Sequence, residues 1–340
     1  DLEKELVEMN DCMPHYYRIT NGHGQGAERI MNAEAEFLQG RFVDAQICLE
    51  NTYVHIAENG QENMVLCCDF LALRLALCTE LSLSYTIAER RKELLRRHNI
   101  TWVTLFDSVC AYYYALSGQI TQIPVLFREH QLSTVNFLAP GKPMMELIEN
   151  QVYLAQQEYA KVIGRSEGLL AVCEAMHYAL VALHVQIQTA AAYECLGKRT
   201  EARNCLKRAL QIALPDQFYL PFVENYEYLE ELLQREIQTA DAAEHVFLTK
   251  VTELGKNCQK RYGALRKTHM FPKIAAELTE QEQRIIELLA ERLSNREIAE
   301  KLFLSEGTIK QYINRIYAKL QISGDVRTKR RQLIELLTAE

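Results

Sequence analysis

The sequence has no long apolar run and no regular cysteine pattern. No stretch approaches the roughly 18 uninterrupted apolar residues that a membrane-spanning helix needs. The charged N-terminus, Asp1 to Leu6, lacks the apolar core of a secretory signal peptide. None of the ten cysteines belongs to a C-x-x-C pair, and no Cys/His set has the spacing of a zinc site. We therefore expect a cytoplasmic protein with reduced thiols, no bound metal and no membrane contact.

Proline and strand-like alternation are also scarce. Only seven prolines occur in 340 residues, and nearly every segment places apolar residues at the spacing of a helix. These patterns predict an all-α fold. The glycine-rich stretch Asn21 to Gly26 lacks both the G-x-x-x-x-G-K-[ST] signature and a preceding strand. It predicts a flexible connection rather than a phosphate-binding loop, and we expect no cofactor in this chain.

No set of residues indicates catalysis. The nine histidines are dispersed, and no Ser/His/Asp or Cys/His arrangement follows from their spacing, so we expect no enzymatic activity. His177 and His184 are seven residues apart, which predicts that they share one helix face and makes them candidate ligand contacts. Packed or surface histidines are the alternative. Trp102 and Tyr113 are further candidates, with core between repeats as their alternative role.

Charge is distributed unevenly along the chain. Residues 1–255 contain 21 Lys and Arg against 34 Asp and Glu, a net charge of −13. Residues 256–276 contain six basic and no acidic residues, and residues 277–340 contain 11 of each sign. An acidic surface repels a polyanion. Any contact with nucleic acid is therefore expected from the C-terminal third.

Similar turns recur at a regular interval. Residues 33–45 resemble a tetratricopeptide unit, in which small residues let two helices approach and Gly40 relieves the turn. Comparable turns fall near residues 40, 79, 118, 157 and 197, a step of 39 to 40 residues. That step is longer than the about 34 residues of a minimal tetratricopeptide repeat. Because a helix pair cannot bury its own apolar face, the pairs are expected to stack into a solenoid with a concave surface.

Helices are predicted next at about 222–236 and 241–262, with Asp241 as the cap of the second. Residues 263–277 contain Gly263, Pro272 and several Lys and Arg with few apolar anchors, a composition typical of a linker. The predicted organisation is an N-terminal segment 1–26, a tetratricopeptide-like helical domain 27–262, a basic linker 263–277 and a C-terminal domain 278–340.

The C-terminal domain has the pattern of four short helices. Thr279 and Glu282 predict a capping box at the first helix; Asn295 is the predicted cap of the second, and Ser305 or Glu306 that of the third. The fourth is predicted from about residue 327 to 337. The predicted core consists of Ile285, Ile286, Leu288, Leu289, Ile298, Ala299, Leu302, Ile309, Ile313, Ile316, Tyr317 and Leu320. The second and third helices outline a helix-turn-helix, whose second helix can enter the DNA major groove.

The outer face of the third helix has residue types that read bases. Lys310, Gln311 and Asn314 share that face, and such side chains recognise guanine (Lys) or adenine (Gln, Asn). Thr308 lies beside them. The candidate phosphate contacts are Arg296, Ser305, Arg315, Lys319, Lys329 and Arg330. Residues 307–331 contain seven basic residues against one acidic residue. A solvated helix with ordinary charges is the alternative that composition leaves open.

A larger motif surrounds these residues at fixed spacing. It comprises Leu278-Thr279, Glu282, Leu289-Ala290, residues 293–299, Leu302, residues 304–310, residues 314–317 and Lys319-Leu320. This set resembles the DNA-binding domain of the LuxR/FixJ family of bacterial transcription regulators. The resemblance implies base contacts by Lys310, Gln311 and Asn314, and dimer contacts by the fourth helix.

The sequence departs from that family pattern at several positions. Gln281 stands where an Arg is frequent, Arg292 where a Gly is common, and Tyr312 where a His is frequent. The residues after Gly324 also differ from the usual ending, which makes the dimer surface less well defined. None of these departures removes the predicted fold.

The helical domain resembles the tetratricopeptide-like region of the large MalT-type LuxR regulators. That resemblance implies a solenoid that binds a small-molecule inducer or a regulatory protein, and an ATP-binding module upstream. No Walker motif occurs here, so ATP is expected only if such a module precedes this chain. The chain is then either the C-terminal piece of such a regulator or a regulator that lost the module.

We therefore expect a sequence-specific transcription regulator, an activator, that binds a double-stranded DNA operator as a homodimer. RNA polymerase is a candidate partner of such an activator. The alternative is a protein-interaction scaffold that uses its helix-turn-helix domain for dimerisation only. An ATP-hydrolysing switch would need the upstream module.

Overall fold

The fold is all-α, as the sequence predicted. A computed structural model of the chain describes residues 2–81, 83, 85–137, 139–290, 293–319, 322, 329 and 333. Those residues form seventeen α-helices with a few short 3-10 turns, and no β-strand occurs among them. The chain divides into two compact units, Asp1–Gln259 and Lys260–Glu340. Within the described residues no helix is both long and apolar enough to cross a membrane.

The described residues of the first unit form thirteen whole helices and the beginning of a fourteenth. They are α1 (Leu2–Ile19), α2 (Ala27–Leu38), α3 (Phe42–Glu58), α4 (Val65–Cys78), α5 (Ile87–Arg96), α6 (Ile100–Leu116), α7 (Val125–Arg128), α8 (Lys142–Ala155), α9 (Tyr159–Ala175), α10 (Ala179–Cys195), α11 (Arg199–Ala213), α12 (Leu220–Glu224), α13 (Tyr226–Ile237) and the first part of α14 (Ala242–Glu277).

Helix ends fall at the predicted turns. Four of the five turns contain a residue in the left-handed region, namely Gly40, Gly118, Gln157 and Gly197, and the fifth follows the end of α4. At Gly40, with φ of 73°, the Gly40 N–H donates to the Phe37 carbonyl and the Arg41 N–H donates to the Glu36 carbonyl, each at 2.9 Å. This pair of bonds closes the last turn of a helix and reverses the chain.

The same ending occurs about 20 residues after three of the predicted turns. Gly60, His177 and Gln217 also have positive φ and close their helices with the same pair of backbone bonds. Helix ends therefore recur about every 20 residues along most of the first unit, which produces the 39-to-40-residue step of a helix pair. A tetratricopeptide-like classification of these pairs stays a prediction.

The helices of the first unit form an inner and an outer layer. The inner layer contains α2, α4, α6, α8 and α10, each packed against the next, whereas α3 and α9 pack outside against two inner helices each. α12 then packs against α2. The Tyr219 N–H donates to the Leu38 carbonyl at 2.9 Å, and Gln39 Nε2 donates to the Asp216 carbonyl at 2.9 Å. The first and last repeats therefore meet, and the solenoid closes on itself.

The long helix α14 begins at its predicted cap and extends beyond its predicted end. The backbone N–H groups of residues 243 and 244 both donate to Asp241 Oδ1 at 2.9 Å. Gly255 allows the close approach of α13, because a Cβ there would lie 2.4 Å from the Tyr226 ring. The backbone of residues 263–277, predicted as a linker, is helical. Lys and Arg are good helix formers, so the basic composition does not end the helix, and the domain boundary there stays a prediction.

A buried ion cluster joins the first and last repeats. Arg74 on α4 is 3% exposed; its Nε lies 2.6 Å from Glu224 Oε1 on α12, and its Nη1 donates to Glu34 on α2. The Tyr112 hydroxyl of α6 donates to Glu224 Oε2 at 2.8 Å. Burial alone would lower the pKa of Arg74, but Glu224 and Glu34 raise it above its usual value. The cation therefore stays charged and links helices that are 150 residues apart.

We expect Arg74→Met to lower the free energy of unfolding of the full chain by about 3–5 kcal/mol, because Glu224 would keep its burial and lose its cation. Urea denaturation followed by circular dichroism measures the change. The control is Arg29→Met, an exposed arginine near Glu28, which should cost less than about 0.5 kcal/mol. Adding Glu224→Gln to Arg74→Met should recover part of the loss. Equal stability of the two single variants would contradict a joining role.

Candidate functional site

Three described helices of the second unit pack on one apolar core. They are α15 (Glu280–Ala290), α16 (Asn295–Leu302) and α17 (Glu306–Lys319). The buried set comprises Leu278, Ile285, Ile286, Leu289, Ile298, Ala299, Ile309, Ile313, Ile316, Tyr317, Ile322 and Leu333, with Leu288 and Leu302 packed against it. The predicted core is confirmed, except that Leu320 lies outside the described residues.

Each of these helices begins at a side-chain cap. Glu282 Oε2 accepts the Thr279 N–H at 2.8 Å, which confirms the capping box of α15. The predicted cap of α16 was wrong by one residue: Ser294, not Asn295, accepts the Glu297 N–H at 3.3 Å. A Glu three residues after Ser294 completes a second capping box, and that spacing was readable from the sequence. At α17, the Thr308 N–H donates to Ser305 Oγ at 3.0 Å, which favours Ser305 over Glu306.

The turn between α16 and α17 has the length of a helix-turn-helix. Phe303, the residue that follows α16, has φ of 55°. The Leu304 N–H donates to the Ala299 carbonyl at 3.0 Å. Leu304 packs against the core, whereas the Phe303 side chain is 94% exposed. A bulky residue in the left-handed region is uncommon, and sequence reasoning gave no sign of this conformation. Only three residues separate the two helices, so α17 is held across α16.

The predicted base-reading residues lie on the outer face of α17. Lys310, Gln311 and Asn314 are all exposed, on the side of the helix opposite the buried Ile309 and Ile313. Thr308 is half-buried, and its hydroxyl lies 2.8 Å from Ser305 Oγ. The first three side chains therefore project from a rigid, core-anchored helix, whereas Thr308 already has a local hydrogen-bond partner.

The predicted phosphate contacts have different surroundings. Arg296 is exposed and pairs with Glu300 at 3.1 Å on the same helix. Arg315 is exposed, with its guanidinium carbon 5.5 Å from the centroid of the Tyr312 ring. Lys319 donates to Glu282 Oε2 at 2.7 Å. Lys319 must therefore share or break that ion pair to bind a phosphate, whereas the two arginines face solvent.

Other predicted residues of this domain are only partly described. Lys329 is half-buried, and its Nζ lies 6.0 Å from the centroid of the Tyr317 ring. Arg330 and Arg292 lie outside the described residues, as does the fourth predicted helix apart from positions 329 and 333.

The ion pair between Glu282 and Lys319 links the start of α15 to the end of α17. Burial by itself raises the pKa of Glu282, but the hydrogen bonds from Lys319 and Thr279 outweigh it and leave the pKa below its usual value. Glu282 is 2% exposed, so the bonded carboxylate is largely shielded from water. The orientation of α17 thus depends on a charged contact that the sequence pattern did not predict.

Comparison with known proteins identifies this domain. Residues 276–330 match the family described as "Bacterial regulatory proteins, luxR family". A 43-residue stretch is 49% identical to the DNA-binding transcriptional activator DevR/DosR of Mycobacterium tuberculosis (strain ATCC 25618 / H37Rv). Residues 276–330 are therefore similar to the luxR family, and we call this part of the chain the LuxR-type domain. The matched stretch covers 13% of this chain and 20% of that relative. No solved structure matches the chain.

The LuxR-family match covers residues 276–330 only, so the candidate ligand residues of the first unit rest on geometry alone. Trp102 lines a cavity of about 380 Å³, and the buried His184 lines an adjoining cavity of about 210 Å³. Tyr113 is buried, with its ring centroid 5.3 Å from that of Tyr114. The prediction that His177 and His184 share a helix face was wrong, because His177 lies exposed in the turn after α9 with φ of 56°.

Two cavity residues were missed by sequence reasoning. Arg74 and Glu34 both line the smaller cavity. Arg74 is the only basic residue in the apolar segment Val65–Cys78, and that isolation was a signal for a buried ion pair. Nothing local to Glu34 indicated its partner, 40 residues away. Among the described residues, no group of three or more His, Cys, Asp or Glu could hold a metal ion.

The lowered pKa of Glu282 predicts a pH-dependent stability of the LuxR-type domain. The pKa of such a carboxyl group is lower in the folded than in the unfolded protein. The group stabilises the folded domain when the pH is above the unfolded-state pKa, and this stabilisation is lost as the pH falls through the folded-state pKa. The stabilisation should be complete at neutral pH and be lost progressively as the pH falls below the usual glutamate pKa of about 4.3. Glu282→Gln should therefore weaken the domain at pH 7 and approach the stability of the parent protein near pH 3. Methyl NMR signals of Ile313 and Ile316, followed through urea unfolding of the full chain, measure the difference.

The matched control for this prediction is Glu300→Gln, which removes an exposed acid that pairs with Arg296. Its effect should be below about 0.5 kcal/mol at either pH. If Glu282→Gln destabilises the domain equally at both pH values, the ion pair is not the source of the effect.

Proposed function

We propose that this protein is a sequence-specific transcription regulator that reads an operator through α17. The observation that carries the proposal is the exposed set Lys310, Gln311 and Asn314 on a helix whose opposite face is fully buried. Lys donates to guanine O6 and N7, and Asn or Gln pairs with adenine N6 and N7. A helix fixed by its core holds these groups in one register against the bases.

The electrostatic pattern supports the same assignment. The net charge of −13 over residues 1–255 opposes binding of the first unit to a polyanion, whereas Arg296 and Arg315 flank the base-reading set. Such cations neutralise phosphates and fix the orientation of the domain without reading sequence. We propose that the protein binds as a homodimer to two half-sites and acts as an activator, with RNA polymerase as its partner. The relative that it resembles over residues of this domain is named a transcriptional activator.

The first unit is proposed to act as the sensor that controls the LuxR-type domain. Its inner helices line two adjoining cavities that open to solvent, and cavities of this size accommodate small molecules. The other proposed signal is a regulatory protein that binds the outer helices.

Replacing the base-reading residues should relax sequence preference. We expect Lys310→Ala and Asn314→Ala each to reduce discrimination at one base position by about 1–3 kcal/mol, because each removes one set of groove contacts. Selection from a random duplex library, followed by binding titrations, measures this. Arg284→Ala is the matched control: it removes an exposed cation from α15 and should leave the selected motif unchanged. If both α17 variants select the parental motif with parental affinity, the groove assignment is wrong.

Removing a phosphate-binding cation should have a different signature. Arg315→Ala should weaken binding to all sequences alike and reduce the slope of log affinity against log salt concentration by about 1. Titrations with the selected operator and with a scrambled duplex at several salt concentrations test this. A loss confined to the selected operator would instead place Arg315 at a base.

The second candidate function is a protein-interaction scaffold that dimerises through its helix-turn-helix domain. Two observations favour it: Gln281 occupies a position where a cation is frequent in the family, and Lys319 is engaged by Glu282. Failure of the full chain to enrich any motif from a random library, together with a stable dimer in sedimentation experiments, would favour the scaffold.

A further inference from the structure

The two cavities of the first unit form one continuous binding region. The cavity of about 380 Å³ and the cavity of about 210 Å³ share three lining residues, Glu34, Phe70 and Met144. They lie between α2, α4, α6, α8 and α10, where the first repeats approach the last. Their combined size is that of a pocket for a small organic molecule.

The larger cavity is lined mainly by apolar and polarisable side chains. Phe70, Trp102, Met144 and Met145 contribute to its wall. Methionine side chains adapt to irregular apolar shapes, and aromatic rings provide large apolar faces. This part of the region therefore suits a flexible hydrocarbon body rather than a sugar or a nucleotide, each of which would need many hydrogen bonds.

Two residues that line the smaller cavity each have a buried polar atom without a partner. Arg74 is 3% exposed and His184 is 6% exposed, and both line this cavity. Arg74 Nη2 and His184 Nδ1 are buried without a hydrogen-bond partner in the structure. A buried donor or acceptor without a partner destabilises the folded protein. A ligand atom that pairs with both groups would remove this destabilisation.

Charge restricts what this ligand atom can be. One guanidinium, Arg74, faces two carboxylates, Glu34 and Glu224, and burial lowers the pKa of His184 to about 3, so its ring is neutral. An anionic head group would meet a region with an excess of negative charge. An ammonium group is only a donor and would leave Arg74 Nη2 unpaired. A hydroxyl group both accepts and donates, so it can accept from Arg74 and pair with either tautomer of His184.

We propose that this cavity binds an uncharged aliphatic alcohol, with its hydrocarbon chain along Phe70, Trp102 and Met144 and its hydroxyl group at Arg74 and His184. This inference rests on the proposed sensor function of the first unit and names the chemical class of the effector. Because Arg74 also bridges α4 to α2 and α12, the ligand binds at the joint between the first and last repeats.

The single tryptophan of the chain makes the proposal directly testable. Trp102 is the only tryptophan and lines the larger cavity, so its emission reports on occupancy. The full chain is titrated with 1-octanol, with octanoate and with octylammonium, which share a chain length and differ in the charge of the head group. We expect a saturable change in Trp102 emission with 1-octanol, and binding at least about tenfold weaker for both charged compounds. Absence of saturation with 1-octanol, or equal or tighter binding of octanoate, overturns the proposal.

Two variants test the position of the hydroxyl group. His184→Leu should weaken 1-octanol binding about tenfold, as expected for a lost buried hydrogen bond. His245→Leu, at an exposed position on α14, should leave it unchanged. Circular dichroism establishes that both variants are folded, and the head-group series on the parent chain tests the proposal without either variant. Unchanged affinity in a folded His184→Leu overturns the placement of the hydroxyl group.

A separate measurement distinguishes this site from the sensor function. Affinity for the selected operator is measured by fluorescence anisotropy, with and without saturating 1-octanol. If 1-octanol binds as expected and operator affinity changes, both proposals are supported. If it binds and operator affinity does not change, the site stands and the sensor function is overturned.

Discussion

The organisation of the first unit depends on one buried cation. Arg74 brings together carboxylates from α2 and α12, and the Tyr112 hydroxyl of α6 completes the hydrogen bonding of Glu224. A buried charge without partners would be strongly destabilising, so these helices have to meet for the cation to be tolerated. A stack of helix pairs held only by neighbour contacts would remain open. The arginine thus helps to define where the last repeat meets the first, and it is one of the residues that line the cavity at that joint.

The repeat itself has a local origin. Most of the repeat helices reverse through a left-handed residue and two backbone hydrogen bonds, and this ending occurs with Gly, Gln or His at the turning position. Glycine favours the left-handed conformation, so the glycines indicated several of these turns in the sequence. Gln157 and His177 adopt the same conformation, but their residue types do not indicate it. Regular spacing of the ends keeps inner helices facing inner helices, which buries most of the residues of α4, α6 and α10. The cavities lie where methionine and aromatic side chains of these inner helices leave space.

The LuxR-type domain is organised differently. A few polar residues lie on the exposed face of α17, whose opposite face packs in the core. Side-chain caps begin its helices, and the ion pair between Lys319 and Glu282 joins the first helix to the last described one. Lys310, Gln311 and Asn314 remain exposed on the outer face of α17. Lys319 is engaged by Glu282, so its ammonium group contributes to the packing of the domain.

The sequence by itself determined the all-α class, the positions of the turns, the core of the LuxR-type domain and the face of α17 that bears Lys310. All of these follow from periodicity, capping residues or motif spacing, which act over a few residues. Tertiary structure alone decided that α12 returns to α2, that Arg74 pairs with Glu224, and that His177 and His184 lie apart. It also decided the partner of Lys319. These contacts join residues tens to hundreds of positions apart, and no local pattern encodes which distant carboxylate a buried cation will meet.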